Sequence, residues 1–159
     1  MNDTSHATVT LVDDQEIVIT SIKAFLELET DYTVRGFTDP EEAARFLKES
    51  PVDVVVSNYL MPRLNGIQLL ARVKEAQPEA SRVLLTGCAD HKCAIAAINE
   101  VGLFQFLEKP WDNAQLLLVI RAGVERARLL RELREKISAL DSAHSTLKEA
   151  QRRLLQAFL

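Results

Sequence analysis

Long apolar runs are missing from this chain of 159 residues: none approaches the roughly 20 consecutive residues that a membrane-spanning helix needs. Residues 1–8 are polar and lack the apolar segment of a secretory signal, so no membrane association and a cytoplasmic location are expected. Cysteine is scarce. Cys88 and Cys93 have four residues between them, which is neither a CxxC motif nor a metal cluster, and two reduced thiols are expected. Histidine is as scarce, and His6, His91 and His144 have no metal-ligand spacing. Positive charge is not in excess either: 19 basic residues against 23 acidic ones give a formal charge of -4, and no direct contact with nucleic acid is expected.

What is present is enough apolar residue, 47%, to bury the core of one ordinary domain with an appendage. Short β-rich runs alternate five times with amphipathic stretches. Strands are predicted at 8–12, 32–37, 53–57, 82–86 and 103–107. The run of residues 53–57 is almost continuously apolar, as in a central strand covered on both faces. Helices are predicted over 15–29, with Val18, Ile22, Phe25 and Leu26 on one face; after Asp39-Pro40, with Ala43, Phe46 and Leu47 inward; and after Gly66, with Leu69, Leu70 and Val73 inward. A fourth is predicted over 89–101, ended by Gly102, and a last one begins near Asp112. This order predicts an α/β fold: an open five-stranded parallel sheet with helices on both faces, (βα)5 and flavodoxin-like, with right-handed crossovers and its site outside the carboxyl ends of the strands.

Those ends carry Asp13 and Asp14, then Asn58, then Thr86 and Gly87, then Lys109 and Pro110. Two acids, a hydroxyl and an ammonium suit a hard cation such as Mg2+ beside a phosphoryl group. Gly87 would leave room for a group on residue 58. Taken alone, Asp13-Asp14 would read as the N-cap of the first helix; the company of Thr86 and Lys109 favours a site.

At residues 11–14, 54–62, 84–87 and 106–111 the chain resembles the receiver domains of bacterial response regulators, over roughly residues 8–125 and with four motifs in order. The resemblance implies that Asp13 and Asp14 hold Mg2+ together with residue 58, that Thr86 is the switch hydroxyl, and that Lys109 is the lysine ahead of a cis proline, Pro110. It also implies that Phe106 is the aromatic that follows the switch, although an aromatic on a strand is as readily core, and that Leu60 and Cys88 flank the phosphoryl group. Trp111 is expected to pack rather than to meet a partner.

The departure is Asn58, where the family has its aspartate nucleophile. A carboxamide nitrogen is delocalised and a poor nucleophile, so the module is expected not to take a phosphoryl group, and its Mg2+ to be weakened or absent. Asn58 is either natural, as in a pseudo-receiver, or an introduced Asp-to-Asn change; aspartate at 58 in the parent gene would mark the second. Asp53 is no substitute, being five residues earlier, about 16 Å along an extended strand and on its other face.

From Leu130 the apolar residues follow heptads, with Leu133, Leu140, Leu147 and Leu154 at d and Leu130, Ile137, His144, Gln151 and Phe158 at a. A helix unbroken to Phe158 would be about 70 Å long. Leucine at every d predicts a parallel dimer, with Lys136 and Asp141 able to pair across it. A helix packed on its own or another domain is the alternative. Arg121, Arg126, Arg128, Arg131 and Arg134 suggest a basic zipper, but Glu125, Glu132 and Glu135 between them favour a solvated, ion-paired face.

The expected organisation is a loosely ordered segment at 1–7, a receiver domain at 8–125 and a coiled-coil helix at 126–159. The chain is expected to be the N-terminal part of a longer regulator whose output domain lies beyond it. The stretch 104–111 resembles receivers attached to several outputs, among them AAA+ activators and cyclic-di-GMP enzymes. Expected partners are a sensor histidine kinase or phosphotransfer protein, a second copy through the last helix, and the output domain. The alternative is a phosphate-independent protein-interaction adaptor. No second catalytic acid or nucleophile is visible, so no enzyme is expected.

Overall fold

The computed structural model of the chain describes residues 6–87, 95 and 99–158. Its strands are β1 (Thr8–Val12), β2 (Thr33–Phe37), β3 (Val54–Asn58), β4 (Ser81–Thr86) and β5 (Gln105–Glu108). Its helices are α1 (Glu16–Glu29), α2 (Pro40–Glu49), α3 (Gly66–Ala76) and the C-terminal helix (Asn113–Phe158). The strands form one parallel sheet in the order β2-β1-β3-β4-β5, as the alternating pattern predicts. Of the predicted fourth helix, Ile95 and residues 99–101 are helical and the rest lies outside the described residues. Gly102 follows with φ 59°, a left-handed conformation that glycine adopts without strain.

Side chains alternate across β3, so one strand serves two cores. Val54 and Val56 point to the face covered by α1 and the C-terminal helix, through Ile22, Leu26, Leu116, Val119, Ile120 and Val124. Val55 points to the opposite face, where Leu47 of α2 and Leu70 and Val73 of α3 cover it. On the α1 face the structure buries Ile19, Ile22 and Leu26 and leaves Val18 and Phe25 partly buried.

The helix starts follow from local chemistry. Asp39 caps α2 by accepting from Glu41 N–H at 3.0 Å, ahead of Pro40. Asn65 and Gln68 form a reciprocal capping box at α3, at 2.8 and 3.0 Å. A Cβ at Gly66 would overlap the Asn58 carbonyl oxygen, so only glycine lets α3 begin against the end of β3. In α1, by contrast, Gln15 is the cap and not the first helical residue; its N–H is taken by the Asp13 side chain at 2.9 Å.

Buried Gly123 lets the C-terminal helix approach the sheet: a Cβ there would meet Val54 Cγ2 at 3.1 Å and Ser81 Cβ at 3.2 Å, and Ser81 Oγ donates to its carbonyl at 2.6 Å. The chain divides into a compact unit ending at Ala127 and a second beginning at Arg128. The second unit is helix throughout its described length, and Leu133, Ile137, Leu140, Leu147, Leu154 and Phe158 are all exposed. Lys136 pairs with Glu132 at 2.9 Å, one turn away, and Arg152 and Arg153 pair with Glu149. No helix among the described residues is long and apolar enough to cross a membrane.

Candidate functional site

The order of strands reverses between β1 and β3, and in an open parallel sheet that leaves a crevice outside their carboxyl ends. Asp13 and Asp14 follow β1, Asn58 ends β3, Thr86 ends β4 and Lys109 follows β5. The register sets Thr86 beside Glu108, and Lys109 N–H donates to the Thr86 carbonyl at 2.8 Å. The Lys109–Pro110 peptide is cis, as the resemblance implies.

Asn58 is the hub. Its Oδ1 accepts from Lys109 Nζ at 2.8 Å. Its Nδ2 donates to the Leu60 carbonyl at 2.9 Å and to Asp14 Oδ1 at 3.3 Å. The orientation of the amide is fixed by its neighbours, because an ammonium only donates while a carbonyl and a carboxylate only accept. Asp13 is 2% exposed and lies 3.7 Å from Lys109 Nζ through Oδ2, an atom without a hydrogen-bond partner among the described residues. Burial raises the Asp13 pKa; the Gln15 N–H and the Lys109 charge offset part of this, and neighbouring Asp14 adds to it.

Asp13, Asp14, Asn58 and Lys109 are thus brought together, with Thr86 buried at the adjoining strand end. Leu60 enters the site through its carbonyl, while its side chain is exposed. Pro110 is exposed. Phe106 is half-buried against the core that contains Leu84 and Val101, and Trp111 packs against the other. A Cβ at Gly87 would meet Lys109 Cδ at 3.8 Å, an ordinary contact. Cys88, Cys93 and His91 lie outside the described residues. Asp53 belongs to the opposite end of β3, where it accepts from Thr8 N–H at 2.8 Å. Among the described residues no three of His, Cys, Asp or Glu gather as a metal cluster.

Sequence reasoning missed two features. One is the Leu60 carbonyl, for which no sequence signal exists, since every residue has one. The other is Arg82, buried and donating to the carbonyls of Pro78, Ala80, Val101 and Gly102 at 2.9–3.3 Å. An arginine inside an apolar strand is the signal that could have marked it. Burial and the nearby Arg126 lower its pKa.

A family model, the response regulator receiver domain, matches residues 9–121. The chain is 33% identical over 120 residues to the hydrogenase transcriptional regulatory protein HoxA of Cupriavidus necator, covering 76% of this chain and 24% of that one. It is 32% identical over 128 residues to the phosphoglycerate transport system transcriptional regulatory protein PgtA of Salmonella typhimurium, covering 80% and 30%. The chain therefore spans about a quarter to a third of the length of these regulators. Among solved structures, the signal receiver domain of an HD domain-containing protein from Pseudomonas fluorescens Pf-5 superposes with a TM-score of 0.77 at 35% identity, covering 83% of this chain and 96% of that one.

Proposed function

The chain belongs to the response regulator receiver domain family, and from that premise we propose that it is a receiver that does not accept a phosphoryl group and instead rests in one signalling state. Receiver domains interact with histidine kinases and with output domains, and they generally bind Mg2+. In this proposal a sensor histidine kinase or phosphotransfer protein docks at residues 8–125 of this chain. The helix from 126 onwards pairs with a second copy and passes the state to an output domain. The module acts in the cytoplasm, is not an enzyme, and makes no direct nucleic-acid contact through these residues. Arg121 and Arg126, two of the arginines that suggest a basic zipper, are engaged within the receiver unit: Arg121 donates to the Glu29 carbonyl at 3.3 Å and Arg126 lies over the Phe104 ring.

The supporting observation is the seat of the Asn58 carboxamide. It lies where the attacking group would have to be, its oxygen held by Lys109 at 2.8 Å and its nitrogen carrying protons toward Leu60 and Asp14. No lone pair of useful nucleophilicity is presented. The net charge of Asp13, Asp14, residue 58 and Lys109 is -1, where aspartate at 58 would make it -2, so attraction for Mg2+ falls as well.

The test is incubation with acetyl phosphate and Mg2+ followed by intact-mass measurement. The expected outcome is no mass gain for the chain as it stands and one phosphoryl group on Asn58→Asp. A phosphoryl group on residue 58 of the unaltered chain would refute the proposal.

A further inference from the structure

Lost charge explains a weaker cation site, but the hydrogen bonds around Asn58 go further. We infer that its amide nitrogen holds the position a divalent cation would need, so that the pocket is closed by an internal donor in place of an ion. This rests on the same reading of the pocket as the proposed function.

Mg2+ needs a near-octahedral set of oxygen ligands at about 2.0–2.1 Å. The oxygens the pocket could offer from different strands are the Asp13 and Asp14 carboxylates, the Leu60 carbonyl and the Asn58 amide oxygen. Two of these, Asp14 Oδ1 and the Leu60 carbonyl, converge on Asn58 Nδ2 at 3.3 and 2.9 Å. An amide NH2 nitrogen, its lone pair delocalised into the carbonyl, does not ligate a hard cation, and its hydrogens fill the space between those two oxygens. The amide oxygen points the other way, to Lys109. Turning the carboxamide over to present its oxygen would set its NH2 group against the Lys109 ammonium, donor facing donor, and would give up both the 2.8 and the 2.9 Å bonds. The residues present therefore do not fit Mg2+ in this arrangement. Asp13 Oδ2, buried and without a hydrogen-bond partner among the described residues, remains as the ligand atom of an incomplete set.

The same bonds give the amide a positive role. Asp14 follows β1, Leu60 follows β3 and Lys109 follows β5, so one neutral side chain ties three strand ends together. The pocket is cross-linked whether or not Mg2+ is supplied.

Asn58→Ala separates this from the charge argument, because the substitution leaves the charge of the pocket unchanged. If Asn58 acts as a feeble ligand, removing it weakens cation binding. If it acts as a competitor, removing it frees Asp14 Oδ1 and the Leu60 carbonyl and strengthens binding. MgCl2 is titrated calorimetrically into the full chain and into Asn58→Ala, with no phosphodonor present. The expected result is binding on the order of tenfold tighter in Asn58→Ala, the worth of about one hydrogen bond. Equal or weaker binding by the variant, including none by either protein, overturns the inference. Should Asn58→Ala fail to fold, Asn58→Val, which likewise offers no ligand atom, is read in the same way.

The unaltered chain supplies a second readout. Its Asn58 side-chain amide protons should keep their NMR shifts at Mg2+ concentrations that saturate Asn58→Asp. Displacement of those resonances at the same concentrations overturns the inference. Phosphoryl transfer is measured separately by mass, so either idea can fail without the other.

Discussion

Asp13 carries a cost that its position does not recover. One carboxylate oxygen accepts from Gln15 N–H, but the other is buried without a hydrogen-bond partner among the described residues, 3.7 Å from the Lys109 ammonium. Burial dominates, and the pKa in the fold lies above the ordinary carboxyl value. The fold thus favours the protonated form. The contribution of Asp13 to stability is fully present below the unfolded-state pKa and is lost as pH rises through the folded-state pKa, so at neutral pH the ionised group is a burden. Asp13→Asn is expected to stabilise the fold at neutral pH, and the advantage should shrink as the solution is acidified through the carboxyl range. Urea unfolding of both proteins across that range is the check, and a variant less stable at neutral pH would contradict the sign. The residue types at this site were readable in the sequence because only a few strand ends carry chemistry. Which way the Asn58 amide faces was not, because the partners that fix it come from β1, β5 and a backbone carbonyl.

At the scale of the element, periodicity was informative where one face had one job. The span of β1 coincides with its predicted residues, and Leu69, Leu70 and Val73 of α3 are buried as expected. It was less informative in α1, where Ile17, Val18 and Ile19 stand in a row. Only packing decides among them: Ile19 is buried and Ile17 is 78% exposed. The C-terminal helix shows the same limit. Its heptad leucines are legible, yet Leu133, Leu140, Leu147 and Leu154 are 55–69% exposed. With the proposed dimer, Leu140→Lys with Leu147→Lys should convert the chain to a monomer in sedimentation equilibrium. Each buried leucine contributes ~1.5–3 kcal/mol, so the pair should weaken association by more than about a hundredfold. A chain that is monomeric before substitution removes the dimer from the proposal.

For the molecule as a whole, the C-terminal helix belongs to two units, and its first turns are part of the receiver core. Leu116, Val119, Ile120, Val124 and Ala127 are buried, and Ser81 bonds the carbonyl of Gly123. Truncation after Ala127 should keep cooperative thermal unfolding within a few degrees of the full chain, whereas truncation after Asp112 should abolish it, because one face of the sheet loses its cover. Circular dichroism melts distinguish these; a chain ended at Ala127 that no longer unfolds cooperatively would show that the two units are one. The sequence by itself determined the alternation of strands and helices, the parallel sheet and the identity of the residues at its carboxyl edge. These depend on local periodicity and on the rules that govern crossovers. Only the tertiary structure decided that the Asn58 nitrogen faces Asp14 and Leu60, that an Asp13 oxygen is buried 3.7 Å from the Lys109 ammonium and that Arg82 ties two connections to β4. A hydrogen bond across the sheet depends on the distance and direction between atoms 44 or more residues apart, as for Asn58 with Asp14 and Lys109, and no pattern along the chain encodes that.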